Sequence, residues 1–91
     1  MLEQEIDRLF MRLNRRVIDP EVACAAIKQL TRAHFRPQLR DPAKVLDDFD
    51  RFADTLFRRY NSLNTALIAN EVKARIRQVR ALEEAVEWLN A

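Results

Sequence analysis

The sequence predicts an all-α fold, a small helical bundle in which three shorter helices pack on one long C-terminal helix. Apolar residues recur every three or four positions through most of the chain, which is the helical period. The 91 residues include no glycine, the residue that supplies positive φ angles in β-hairpins. An Asp-Pro pair occurs twice, and each pair is typical of a helix N-cap followed by a first-turn proline. The length predicts a single helical domain over residues 1–91.

The first two predicted helices cover residues 2–17 and 20–34. In the first, acidic residues precede arginines, an order that suits the helix dipole. Asp19 and Pro20 start the second helix after almost no linker. Pro37 disfavours helical angles in the residue before it, so the second helix should end near His34.

The third predicted helix, 42–60, begins at the second Asp-Pro pair and carries an aromatic-rich apolar stripe. Phe49, Phe52 and Leu56 should be buried against the first two helices, at Leu9, Leu13, Ile27 and Leu30. The polar segment 61–64 predicts a break before a fourth helix at 63–89. The alternative is one helix from Pro42 to Leu89, because leucines keep helical spacing through the junction, and such a length would require a partner.

The fourth helix has two apolar sides when each residue is turned about 100° from the last. One face consists of Ile68, Val72, Ile76, Val79, Leu82, Val86 and Leu89. A second arc, roughly opposite, consists of Ala74, Ala81, Ala85 and Trp88. Because two sides could be covered, the sequence predicts a protein–protein interaction module acting through this helix, such as an adaptor, regulator, chaperone-like protein or accessory subunit.

Two charges lie close to the first of these faces. Arg75 and Glu83 are both near its centre, and the helix runs from basic to acidic, against its dipole. An antiparallel homodimer with its two-fold axis near Val79 would pair Arg75 of each copy with Glu83 of the other. Alternatively, Arg75 extends to water over its own stem, and Glu83 pairs with Arg32 or Arg36. The predicted interface residues are Val72, Arg75, Ile76, Val79, Leu82, Glu83, Val86 and Trp88.

A basic stretch in and after the second helix indicates the alternative function, a nucleic-acid-binding regulator. Lys28, Arg32, Arg36 and Arg40 are spaced by four, and no acidic residue lies between Val22 and Arg40. Such a stripe could follow a phosphate backbone. Pro37 interrupts it, and no aromatic stacking platform accompanies it, so an acidic protein surface or the chain's own aspartates are favoured as its partners.

No catalytic, metal-binding or phosphate-binding motif stands out, so we expect no enzyme activity, no cofactor and no metal. His34 is the only histidine and has no nucleophile or second ligand nearby in sequence. Cys24 lies among alanines, which favours an inert buried thiol over a reactive one. The four aspartates Asp47, Asp48, Asp50 and Asp54 lack the Glu-x-x-His pairs of helical-bundle metal sites and favour a solvated face.

Composition says more about the cellular compartment of the protein than about its activity. The net charge is +2, from 16 basic and 14 acidic residues, which is close to balance. A single cysteine allows no internal disulfide and fits a reducing compartment. No apolar run approaches the roughly 18 residues of a membrane span, and the acidic N-terminus is unlike a targeting peptide. These features predict a cytoplasmic location without membrane contact.

Overall fold

The computed structural model describes residues 1–90, with the backbone alone for Asn90, and contains four α-helices. They are α1 (Leu2–Asn14), α2 (Pro20–Phe35), α3 (Pro42–Arg58) and α4 (Thr65–Asn90). The predicted all-α class, with three shorter helices packed on a long C-terminal one, is confirmed. Among the described residues, none of the helices combines the length and the apolar character needed to cross a membrane.

Both predicted Asp-Pro starts are correct, although the two aspartates act differently. The Asp19 side chain accepts a hydrogen bond of 2.9 Å from the backbone N–H of Val22, and Pro20 opens α2. Asp41 precedes Pro42 at the start of α3 but makes no capping hydrogen bond through its side chain. Proline at the first position costs α3 no hydrogen bond, since that N–H has no partner within a helix.

The first helix ends three residues before the predicted boundary at residue 17. Arg16 adopts a left-handed φ of 61°, and the N–H of Val17 donates back to the carbonyl of Arg12 at 2.9 Å. The N–H of Arg16 donates to the carbonyl of Leu13 at 3.1 Å. These two bonds form a Schellman motif, in which glycine usually occupies the left-handed position. Because this chain has no glycine, an arginine takes the position, and the sequence carried no visible stop signal.

The predicted break between the third and fourth helices is confirmed. The side chain of Asn64 accepts from the N–H of Asn61 at 2.8 Å and donates to the carbonyl of Arg59 at 2.9 Å. Asn61 in turn accepts from the N–H of Leu63 at 2.9 Å. These side chains satisfy backbone groups that a continuous helix would have paired, so α3 ends at Arg58 and α4 starts at Thr65.

Ion pairs between the helices fix their relative directions. Lys28 of α2 contacts Asp54 of α3 at 2.8 Å, and Arg32, one turn later, contacts Asp50, one turn earlier, at 2.7 Å. The two helices are therefore antiparallel. By the same reasoning α1 and α4 are antiparallel, because Lys73 contacts Asp7 at 2.9 Å and Arg80 contacts Glu3 at 2.8 Å.

The core contains side chains from all four helices, and one predicted member lies at its edge. Phe49, Leu56, Leu13 and Ile27 are buried as predicted. Phe52 is only partly buried, because it lies at the edge of the core, where the guanidinium of Arg75 is 5.0 Å from the centre of its ring. Leu9 and Leu30 are also only partly buried. The buried apolar residues are Leu2, Ile6, Phe10, Leu13, Ala23, Cys24, Ile27, Phe35, Leu39, Leu46, Phe49, Ala53, Leu56, Ile68, Ala69, Val72, Ile76 and Val79.

The long helix extends past the rest of the bundle. Val79 is the last residue of α4 in the core, and the 11 helical residues after it add about 17 Å at about 1.5 Å per residue. The molecule is correspondingly elongated, with extents of 46 × 20 × 19 Å. The candidate site lies on this projecting part of α4.

Candidate interaction surface

The projecting end of α4, residues 81–89, presents its apolar side chains to solvent, and we call it the α4 tip. Leu82 is 62% exposed, Trp88 79% and Leu89 75%. With about 100° per residue, the apolar members of the tip fall within an arc of roughly 160°. They are Ala81, Leu82, Ala85, Val86, Trp88 and Leu89. A helix in water normally directs such an arc at its own core, and here that arc faces outward.

The apolar side of α4 therefore changes direction along the helix. Up to Val79 the buried side chains face α1 and α3. In the α4 tip the centre of the apolar arc lies roughly 120° further round the axis, on the solvent side. Taken over its whole length, α4 consequently concentrates its apolar residues on one side less than the other three helices do.

The charged side of the tip faces the end of the bundle. Arg80 lies over the ring of Phe35 at 6.0 Å and within 2.8 Å of Glu3, although its N–H groups are not aligned for a hydrogen bond with that carboxylate oxygen. Glu83 and Glu87 line a small cleft of about 210 Å³ with Phe35. One carboxylate oxygen of Glu83 is buried and has no hydrogen-bond partner among the described residues.

The predicted interface residues separate into two groups. Val72, Ile76 and Val79 belong to the protein's own core, so α1 and α3 already cover the seam that the dimer centred on Val79 would use. Leu82 and Trp88 are exposed on the α4 tip, and Val86 is 37% exposed at its edge.

The two charges near the seam have different surroundings from those predicted. Arg75 covers Phe52 and is only partly exposed, so its charge lies against an aromatic face rather than reaching water over its own stem. Glu83 makes no ion pair with Arg32 or Arg36, because Arg32 contacts Asp50 and Asp47 instead, at 2.7 and 3.5 Å. Arg75 is therefore held against α3, whereas Glu83 has no ion pair within residues 1–90, and the pairing of the two residues between copies stays a prediction.

The basic stretch is divided by its own fold. Lys28 and Arg32 form ion pairs with aspartates of α3, the partners that the sequence favoured over nucleic acid. The hydrogen bond with Lys28 holds the pKa of Asp54 below its usual range, and the same contact raises the pKa of Lys28. Arg36 and Arg40 are exposed and have no ion pair in the described part of the chain.

A cleft of about 460 Å³ between α2 and α3 includes the only cysteine. It is lined partly by Cys24, Lys28, Asp54 and Phe57. Burial raises the pKa of the Cys24 thiol to about 11. The thiol therefore stays protonated at neutral pH, which disfavours nucleophilic chemistry in this cleft.

The remaining polar candidates are not brought together. Across residues 1–90, no group of three or more histidine, cysteine or acidic side chains is arranged to hold a metal ion. His34 lies edge-on to the ring of Phe35 at 4.8 Å and is half-buried at the end of α2. The aspartates of α3 face the cations of α2, except Asp48, which lies 3.7 Å from Arg51 on its own helix.

Sequence reasoning left Leu89, Ala81 and Ala85 out of the predicted interface, although it placed all three on apolar arcs of the fourth helix. The signal that could have included Ala81 and Ala85 was the second arc, since one helix can bury only one side in a small bundle, and Leu89 lies at the far end of the first face. Which side the bundle would cover depended on the lengths of the other helices, and the apolar period alone does not give those lengths.

Comparison of the chain with models of protein families, with curated proteins and with solved structures found no match.

Proposed function

We propose that this protein is a small helical protein–protein interaction module, an adaptor, regulator, chaperone-like protein or accessory subunit, that binds through the α4 tip. The observation that carries the proposal is the outward-facing apolar arc, with Leu82, Trp88 and Leu89 all more than 60% exposed within one short helical segment. Single exposed leucines are ordinary on protein surfaces, but clustered large apolar residues mark interaction sites. Tryptophan and leucine on a rigid helix also lose little side-chain entropy on binding.

The polar surroundings of the tip support this reading. Glu84 and Glu87 are exposed beside the apolar arc, so the surface has the apolar centre and charged rim of a protein interface. The tip continues a helix that is anchored in the core through Val79, which holds its side chains in a fixed arrangement. A cytoplasmic location belongs to the same proposal.

Binding of nucleic acid through Lys28, Arg32, Arg36 and Arg40 is less well supported. Two of the four cations are paired with carboxylates of α3, and those carboxylates would repel phosphates approaching the same surface. The exposed cations that remain, Arg36 and Arg40, are separated by the helix end and Pro37.

Site-specific photo-crosslinking tests the proposal directly. A benzophenone amino acid at position 88 should form crosslinks to protein in an extract of the source cells, and at position 63 it should not. Leu63 is 96% exposed in the loop before α4 and is a matched control for exposure. Crosslinking from position 88 should be lost when Leu82→Glu and Leu89→Glu are added. Equal crosslinking from both positions, or none from position 88, would contradict the proposal.

The nucleic-acid alternative has its own measurement. Labelled duplex and single-stranded DNA and RNA are titrated with the protein at two salt concentrations, and with an Arg36→Ala, Arg40→Ala variant. We expect no binding tighter than about 10⁻⁴ M at low salt, which is the weak limit of ordinary non-specific affinity. Tighter binding that weakens with salt and with the double substitution would favour the alternative instead.

A further inference from the structure

We infer that the solvent-facing side of α4 binds a second copy of this chain, with the two helices antiparallel and the two-fold axis near position 80. The inference deepens the proposed function and rests on it, because it names the occupant of the side of α4 that carries Trp88, Ala81 and Ala85 of the α4 tip. It also places the two-fold interface on a different side of α4 from the seam through Val79, which the bundle itself covers.

The bundle leaves one side of α4 open along its length. Lys73 and Arg80 mark the side facing α1 through their contacts with Asp7 and Glu3, and Arg75 marks the side facing α3 through its contact with Phe52. The side left open carries a row of exposed residues, which are Ala74, Arg77, Gln78, Ala81, Glu84, Ala85 and Trp88. Two of them lie at its borders, because Gln78 also lines a cleft against α3 and Glu84 also lines the cleft at Phe35. A second helix can therefore lie along α4 without displacing α1 or α3.

The charges on this open side are self-complementary only when the second copy is antiparallel. Arg77 and Glu84 are seven residues apart, almost two full turns, so they lie on one line along the helix. Both are exposed, and neither has an ion pair within residues 1–90. Around an axis near position 80, each Arg77 meets Glu84 of the other copy, and symmetry makes the contact twice. In a parallel pair, like charges would face each other.

The same charges argue against a different occupant. A basic partner segment would match Glu84 but place like charge against Arg77, and an acidic segment would do the reverse. A second copy matches both at once.

The sizes of the side chains fit this arrangement. Alanine at positions 81 and 85 lets two helices approach closely near the axis. Trp88 of one copy then lies beside Ala74 of the other, so a large side chain meets a small one. Leu82 and Leu89 lie at the edge towards α3 and are partly covered.

The overlap would extend over about 18 residues, or roughly 27 Å of helix. One helix pair of this length buries less than the roughly 1,200 Å² of a standard interface, so we expect a dissociation constant on the order of 10⁻⁵ M.

The first test is sedimentation equilibrium on the full chain from about 5 to about 500 μM, a concentration range that brackets an affinity of this order. The average mass should rise from 10.8 kDa towards twice that value. Arg77→Glu should weaken association about tenfold by turning two attractive pairs into repulsive ones, and adding Glu84→Arg should restore it. Arg8→Glu makes the same charge change on an exposed part of α1 and should have no effect.

Orientation is tested with a spin label at Leu67→Cys in a Cys24→Ala background. Antiparallel helices with an axis near position 80 place the two labels about 40 Å apart, whereas a parallel pair places them within about 20 Å.

Three results would each overturn the inference. They are a wild type that stays monomeric at the highest concentration, a double variant whose association is not restored, and the short distance between the labels. If the protein is monomeric but position 88 still crosslinks to another protein, the interaction function stands and the occupant is wrong. If neither is seen, both proposals fail.

Discussion

Replacing Thr31 with valine should stabilise the protein, although it removes a polar group from a well-packed position. Thr31 is fully buried in α2, and its hydroxyl oxygen has no hydrogen-bond partner among the described residues. An unsatisfied buried hydroxyl costs about 1–3 kcal/mol, and valine has nearly the same shape and helix propensity. We therefore expect Thr31→Val to raise the free energy of unfolding by about 1 kcal/mol or more. In a domain of this size that corresponds to a rise in Tm of about 4–8 °C per kcal/mol.

Thr31→Ser is the matched control, because it keeps the hydroxyl and removes the methyl group. Losing a buried methyl should cost about 0.8 kcal/mol plus the cavity that it leaves, so the two variants should move stability in opposite directions. Urea unfolding followed by circular dichroism measures both, and the slope with denaturant should stay constant. A valine variant no more stable than the parent would show that the hydroxyl is satisfied in solution and that the reasoning is wrong.

Three further outcomes are expected. Arg16→Gly should raise the unfolding free energy by about 1 kcal/mol, since a left-handed residue other than glycine costs about 1–2 kcal/mol, whereas Arg15→Gly, at φ −83°, should not. Urea unfolding of the pair checks this, and equal effects would refute it. Phe49→Ala should cost about 3–5 kcal/mol by thermal unfolding and Phe52→Ala clearly less, because only Phe49 is fully buried; the reverse order would contradict the assigned core. Cys24, with its thiol pKa raised to about 11, should react with iodoacetamide far more slowly in the native protein than in urea, and its native rate should keep rising with pH above 9; a fast, pH-independent reaction would contradict its burial.

The helix order and most helix starts could be predicted because their signals are local. Asp19 with Pro20, and Asp41 with Pro42, act through the backbone of the first turn and need no tertiary context. The asparagines at 61 and 64 likewise satisfy backbone groups within their own loop. The end of α1 was missed because the residue in the left-handed position is an arginine, which has no preference for that conformation.

The core and the candidate surface could be predicted only in part, because burial depends on what lies opposite. Periodicity placed Val79 and Leu82 on one face, yet Val79 is buried and Leu82 is mostly exposed. The difference arises from the bundle, which no longer covers this face of α4 beyond Val79. Phe52 shows the same effect on α3, since its outer side is covered by Arg75 and not by another apolar side chain. Spacing in the sequence gives the side of a helix, and the lengths of its neighbours decide where along that side burial stops.

The energetics of the α4 tip favour a role outside the monomer. Isolated helices shorter than about 12 residues are marginal in water, but the tip continues a helix already nucleated in the core, so it forms without its own nucleation cost. The apolar side chains of the tip add little to the stability of the monomer, because Leu82, Trp88 and Leu89 remain mostly in water. Polar residues at these three positions would keep the helix and avoid the exposed apolar surface. The stabilisation that leucine and tryptophan can provide here is therefore realised only when another surface covers them, and the antiparallel second copy is the occupant whose charges match.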